Sequence, residues 1–91
     1  MQLVCEAISD PTRRKILNLL KKGEMSAGEL GTHFDISGPS MSHHLGKLKA
    51  ADLVLANRRG QSIHYSINTS VFDDAARFVI EFFQDRKETT Q

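Results

Sequence analysis

Residues 36–54 read ISGPSMSHHLGKLKAADLV, and the order of residue types in this stretch decides the fold. Ser37 is a helix N-cap, and Gly38 and Pro39 fill the first turn, where proline's missing N–H costs nothing. Met41, Leu45 and Leu48 follow at i, i+4 and i+7, the spacing of a buried helical seam. That seam leaves Ser40, Ser42 and His43 as short hydrogen-bonding side chains on the outer face. His44, about 100° further round the helix, turns toward Met41 and Leu48 and reads as a half-buried packing residue.

Upstream of this helix, Ser26 and Glu29 form an S-x-x-E capping box ahead of Leu30, His33 and Phe34, which predicts a short helix of about two turns. Only Asp35 and Ile36 separate the two, so the pair forms a helix, a tight turn and a longer helix. Further back, Ser9-Asp10-Pro11 opens a helix running to about residue 22. Ile16, Leu17, Leu19 and Leu20 form its apolar face, and Lys21, Lys22 and Gly23 close it. Leu3, Val4, Ala7 and Ile8 suggest a short leading helix.

Downstream of Asp52 the period changes to two. Leu53-Val54-Leu55 and the alternating Ser62-Ile63-His64-Tyr65-Ser66-Ile67 predict a β-hairpin, with Asn57-Arg58-Arg59-Gly60-Gln61 as a basic turn between its strands. Ser70 or Thr69 caps a last helix to about Gln84. It contains Val71, Phe72, Ala75, Ala76, Phe78, Val79, Ile80, Phe82 and Phe83, and its narrow polar strip of Asp73, Arg77, Glu81 and Gln84 covers a single face. A lone terminal helix on a small domain exposes too much apolar surface with such a pattern. The expectation is one domain over residues 1–86 and a frayed tail over 87–91.

The fold class that follows is mainly α with a small β-hairpin: a winged helix-turn-helix of five helices and a two-stranded wing. In that arrangement the helix opening at Ser37 enters a major groove and the hairpin meets the neighbouring backbone. Charge agrees in direction. The whole chain of 91 residues has a formal charge of +1, but residues 37–66 hold Lys47, Lys49, Arg58 and Arg59 against Asp52 alone. The candidate DNA-binding residues are Pro39, Ser40, Ser42, His43, Lys47, Arg58, Arg59 and Gln61. Each also has a plainer reading: Ser37 is a cap first, and charges at a hairpin tip also prevent edge-to-edge strand association.

Other function classes fare worse. No apolar run reaches the ~18 residues of a spanning helix, and the N-terminus lacks the pattern of a signal peptide, so a cytoplasmic location is expected. The lone Cys5 makes no internal disulfide. No nucleophile with a base, no paired acids, and no phosphate loop or cofactor fingerprint is present, so neither enzyme activity nor a cofactor is expected. Cys5, His33 and His64 are scattered singles without metal-ligand spacing.

SDPTRRKILNLL, ISGPSMSHHLGKLKAADLV and RRGQSIHYSI together resemble the ArsR family of bacterial winged helix repressors, and within it the SdpR-type autorepressors. The resemblance covers residues 5 to about 70. It implies a homodimer, joined by its first and last helices, that occupies an operator and blocks transcription until a signal releases it. The twofold axis of such a dimer makes a palindromic operator the expectation, and a regulatory protein is one candidate for the releasing signal. Leu3, Val4, Ala7, Phe72, Ala75, Ala76, Val79, Phe82 and Phe83 would then line the subunit interface. Gly38 departs from relatives that place a long polar residue beside the cap, which removes one base contact. The paired cysteines of metal-responding relatives are absent from AGELGTHF, as are the Asp and His ligands of the last helix. A family-type metal site is therefore not expected, and a subunit-bridging one through Asp73 stays open. The alternative function is a protein-interaction module on the same scaffold.

Overall fold

The structure is a computed structural model that describes residues 2–89, with side chains described to residue 84. Five helices and three strands follow in the order α1 (Gln2–Ile8), α2 (Pro11–Leu20), β1 (Met25–Ser26), α3 (Ala27–Gly31), α4 (Gly38–Ala50), β2 (Val54–Arg59), β3 (Ser62–Ile67) and α5 (Thr69–Thr89).

The caps read from the sequence are those that form. Asp10 accepts from the Arg13 amide at 3.0 Å at the start of α2. Ser26 Oγ accepts from the Glu29 amide at 3.1 Å, and the Ser26 amide donates to the Glu29 carboxylate at 2.9 Å, closing the capping box of α3. Ser37 Oγ accepts from the Ser40 amide at 3.2 Å at α4. Each cap satisfies one amide that the first helical turn leaves without a partner.

The end of α4 uses a device not expected from its residues. Asp52 adopts φ 60°, the left-handed position normally given to glycine. The Leu53 amide donates to the Leu48 carbonyl at 3.0 Å and the Asp52 amide to the Lys49 carbonyl at 2.9 Å, the two bonds of a Schellman cap. Leu48 and Leu53 are both buried, so the cap carries its apolar contact and swings the chain from helix into β2.

Ile16, Leu17, Leu20, Leu30, Met41, Leu45, Leu48, Leu53 and Val54 form the core with Ala7 and Ala51. Each large aliphatic side chain buried there stabilises by roughly 1.5–3 kcal/mol. Arg13 is buried among them at 8% exposure. Its Nε donates to the Ala7 carbonyl at 2.6 Å and Nη2 to the Glu6 carbonyl at 3.2 Å. A seven-residue helix is marginal alone, and Arg13 stops its C-terminal carbonyls while anchoring it to α2.

Two details of the hairpin differ from expectation. Asn57, Arg58 and Arg59 belong to strand β2, because Arg59 pairs with Ser62 and the loop is only Gly60-Gln61. Gly60 at φ 63° supplies the positive φ that a two-residue turn demands, so the ladder runs further out than the polar sequence suggests. The hairpin also gains a third strand: β1 pairs with β3, giving the order β1-β3-β2.

Helix α5 continues to Thr89, beyond the end expected near Gln84; residues 85–89 contain no glycine or proline to stop it. Of the expected tail, residues 90 and 91 lie outside the described residues. The chain measures 56 × 24 × 21 Å with a radius of gyration of 15.6 Å, against about 12 Å for a compact domain of this length. At 1.5 Å per residue, α5 accounts for about 32 Å of that long axis. Val71 packs on the core, while Phe78, Val79, Ile80, Phe82 and Phe83 are between 49% and 60% exposed. No described helix is long and apolar enough to cross a membrane.

Candidate nucleic-acid interface

α4 is a helix with one face inside the protein and the other outside. Met41, Leu45 and Leu48 are buried, whereas Pro39, Ser42 and His43 are exposed and Ser40 is half-buried under the Ser37 cap. The exposed set occupies the first two turns, where small side chains let the helix end approach a partner closely. Its orientation is held from behind. His44 is half-buried, with Nδ1 3.3 Å from Arg13 Nη1 and 3.8 Å from Asp10 Oδ2. The packing role expected of His44 thus includes polar contacts to α2 and its cap. The His43 and His44 rings meet edge-on at 5.9 Å.

Asp10 joins these contacts through its charge. Its carboxyl is held below the usual aspartate range, first by the Arg13 amide it accepts and then by the nearby Arg13 guanidinium and His44. Glu29 is lowered too, by the Ser26 amide and then the Ser26 hydroxyl.

The basic candidates divide into engaged and unengaged groups, which the sequence did not foretell. Lys47 Nζ lies 3.0 Å from Glu6 Oε1, joining the recognition-like helix to α1. Arg59 is taken by Glu24, with Nε 2.9 Å from Oε1 and Nη2 3.1 Å from Oε2, a two-pronged pair. His64 Nδ1 also faces Glu24 Oε1, at 3.4 Å. Arg58 makes no ion pair among the described residues and is exposed, as is Gln61 in the turn. Strand alternation puts Arg58 on the face of β2 that carries buried Val54, and Arg59 on the opposite face with Asn57 and Leu55.

The sequence singled out neither Glu6 nor Glu24 as partners, nor Arg13 as a buried anchor. Glu6 and Glu24 meet their partners 41 and 35 residues away, and Arg13 reaches His44 across 31 residues besides Ala7 and Glu6 six and seven residues back, meetings that no helical or strand periodicity encodes. Among the described residues no three His, Cys, Asp or Glu side chains stand close enough to share a metal ion.

The expected interface residues fall into two sets. Ala7 is buried at 2% exposure within its own chain, and Val4 is partly buried against the same core, so Ala7 is a core residue rather than a surface one. Its place on the face toward α2 and α4 is the reason. Leu3, Phe72, Ala76, Val79, Phe82 and Phe83 are exposed and Ala75 is half-buried. Cys5 is exposed on α1.

Comparison with known proteins gives the setting. Residues 10–55 match the family described as "Bacterial regulatory protein, arsR family". The chain is 54% identical over 82 residues to the transcriptional repressor SdpR of Bacillus subtilis, covering 90% of this chain and 91% of that one. It is 35% identical over 74 residues to the arsenical resistance operon repressor of Staphylococcus aureus, covering 81% and 71%. Among solved structures, an ArsR-like transcriptional regulator from Rhodococcus sp. RHA1 superposes with a TM-score of 0.83 at 31% identity, over 98% of this chain and 84% of that one. The polar outer face of α4, the hairpin beside it and these matches lead to one conclusion: the chain belongs to the arsR family of bacterial regulatory proteins, as a DNA-binding transcriptional repressor of winged helix-turn-helix form.

Proposed function

We propose that two copies of this chain pair through α1 and α5 and hold a palindromic operator, each placing α4 in a major groove and its wing against the adjacent backbone. The observation that carries this reading is the outward set Ser42 and His43, exposed above a buried seam on a helix braced by Arg13 and His44. Ser42 and His43 read base edges, the α4 amino end with Pro39 and Ser40 approaches the phosphates, and Lys47, Arg58 and Arg59 supply backbone charge with Gln61. Twofold symmetry sets the half-sites about 34 Å apart.

Pairing follows from α5. Phe72, Ala75, Ala76, Val79, Phe82 and Phe83 stand at i, i+3, i+4, i+7, i+10 and i+11, one stripe of the helix, and Leu3 is a further exposed apolar residue on α1. A second copy offers the same stripe, and an isologous contact buries both. Release comes from a non-metal signal or a protein partner, since the metal-ligand pairs of metal-responding relatives are missing. Control of its own promoter is the form of repression that the resemblance to SdpR-type autorepressors implies.

Nuclease protection on the promoter fragments of its own genome, with the upstream region of its own gene first, tests the reading. A protected palindrome is expected, with His43→Ala losing about 1–3 kcal/mol of discrimination between that site and random duplex. A single subunit in sedimentation, indifferent to every fragment, overturns it. The same apolar α5 would then favour an interaction module that captures another protein.

A further inference from the structure

The three-stranded sheet places the Glu24 carboxylate where it spans the sheet. Glu24 immediately precedes β1, and β1 pairs with β3 through Ser26 opposite His64. Arg59 belongs to β2, on the far side of β3. The Glu24 side chain therefore reaches over the middle strand, meeting His64 at 3.4 Å and gripping Arg59 with both oxygens at 2.9 and 3.1 Å. Glu24 and His64 are each 25% exposed, whereas Arg59 is 64% exposed, so the carboxylate is the sheltered partner and the guanidinium the accessible one.

Forked arginine–carboxylate geometry is the same geometry by which a guanidinium grips a phosphate. Glu24 occupies both prongs of Arg59, so a DNA phosphate and Glu24 compete for one set of donors. An exposed pair of this kind is weak enough for a phosphate to displace it. Arg58, on the opposite face of β2 from this pair, faces no such competitor among the described residues.

We propose that Glu24 sets the strength of the wing's grip on DNA by withholding Arg59 from the phosphate backbone, so that Arg58 carries the wing's resting contact and Arg59 joins only where a phosphate takes Glu24's place. Glu24 is in this role a positioning residue that restrains affinity for non-operator DNA, where wing contacts are sequence-independent. The proposal rests on the reading that the wing meets the DNA backbone.

Binding of the full chain to a random-sequence duplex, followed across a salt series, separates the two ideas. Arg58→Ala is expected to weaken binding several-fold and to lower the salt slope by about one. No change there removes the wing contact itself, whatever Glu24 does. With that contact established, Glu24→Gln is expected to tighten binding several-fold and steepen the slope by about one, as Arg59 becomes available. Arg59→Ala alone should change binding less than twofold, and the gain from Glu24→Gln should vanish when Arg59→Ala is added. Glu24→Ala, which removes the same acceptor, should tighten binding in the same direction and serves if Glu24→Gln melts early. The proposal is overturned if neither Glu24→Gln nor Glu24→Ala tightens binding, or if the gain persists without Arg59, which would mark it as a change of net charge alone.

Discussion

The helix-turn-helix body and the last helix treat the same kinds of residue in opposite ways. In α2, α3 and α4 the large aliphatic side chains are spent inside one chain: Ile16, Leu30, Leu45 and Leu48 are at most 2% exposed. In α5 the described residues Phe78, Val79, Ile80, Phe82 and Phe83 are about half exposed or more. The body buries its apolar residues within one copy, whereas α5 leaves most of its own uncovered. On the proposed pairing, stability and assembly fall to separate segments, and substitutions should separate them.

The largest effect is expected in the body. Leu45→Ala empties a fully packed site and should cost about 2–5 kcal/mol of unfolding free energy, read by urea denaturation at any protein concentration. Phe82→Ala should leave the far-ultraviolet spectrum unchanged and shift the subunit equilibrium by about 2 kcal/mol per interface, seen by sedimentation. Loss of helix on Phe82→Ala with no change in assembly would erase the contrast between the two regions.

Next comes the joint between α1 and the body. Arg13→Ala removes the guanidinium that holds the Ala7 and Glu6 carbonyls and should destabilise by about 1.5–3 kcal/mol. Protection of α1 amides from hydrogen exchange should fall more than that of α4. A smaller and opposite effect is expected at Asp52, where glycine relieves a left-handed backbone: Asp52→Gly should stabilise by about 0.5–1 kcal/mol in the same denaturation assay.

The smallest effect is in acid. The folded Asp10 and Glu29 carboxyls are held below their ordinary range, so each bonded cap contributes above the unfolded value and is lost as pH falls through the folded one. A fall in Tm across the carboxylate range should therefore shrink in Asp10→Asn, which no longer titrates, while the body's apolar packing stays indifferent to pH.

Much of the fold was legible because its signals are local. Ser26 with Glu29, Ser37 before Gly38 and Pro39, and the period-two run from Ser62 to Ile67 each act within a few residues, and each formed the element it announced. Ala7 was misread because α1 is only seven residues long and its inner face is defined by Arg13 and the neighbouring helices, not by its own periodicity. The wing turn was placed too early because Asn57 to Arg59 are polar, yet the register runs out to Arg59 opposite Ser62.

What the amino-acid order determined alone is the succession of helices and strands, the inward seam of α4 and the excess of apolar surface on α5, since caps, turns and periodicity are properties of neighbouring residues. Tertiary structure decided which charges are engaged. Lys47 with Glu6, Arg59 with Glu24 and Arg13 with His44 are meetings between distant segments, and only the packing of α1 and α2 on α4 and of β1 on β3 brings those atoms within reach.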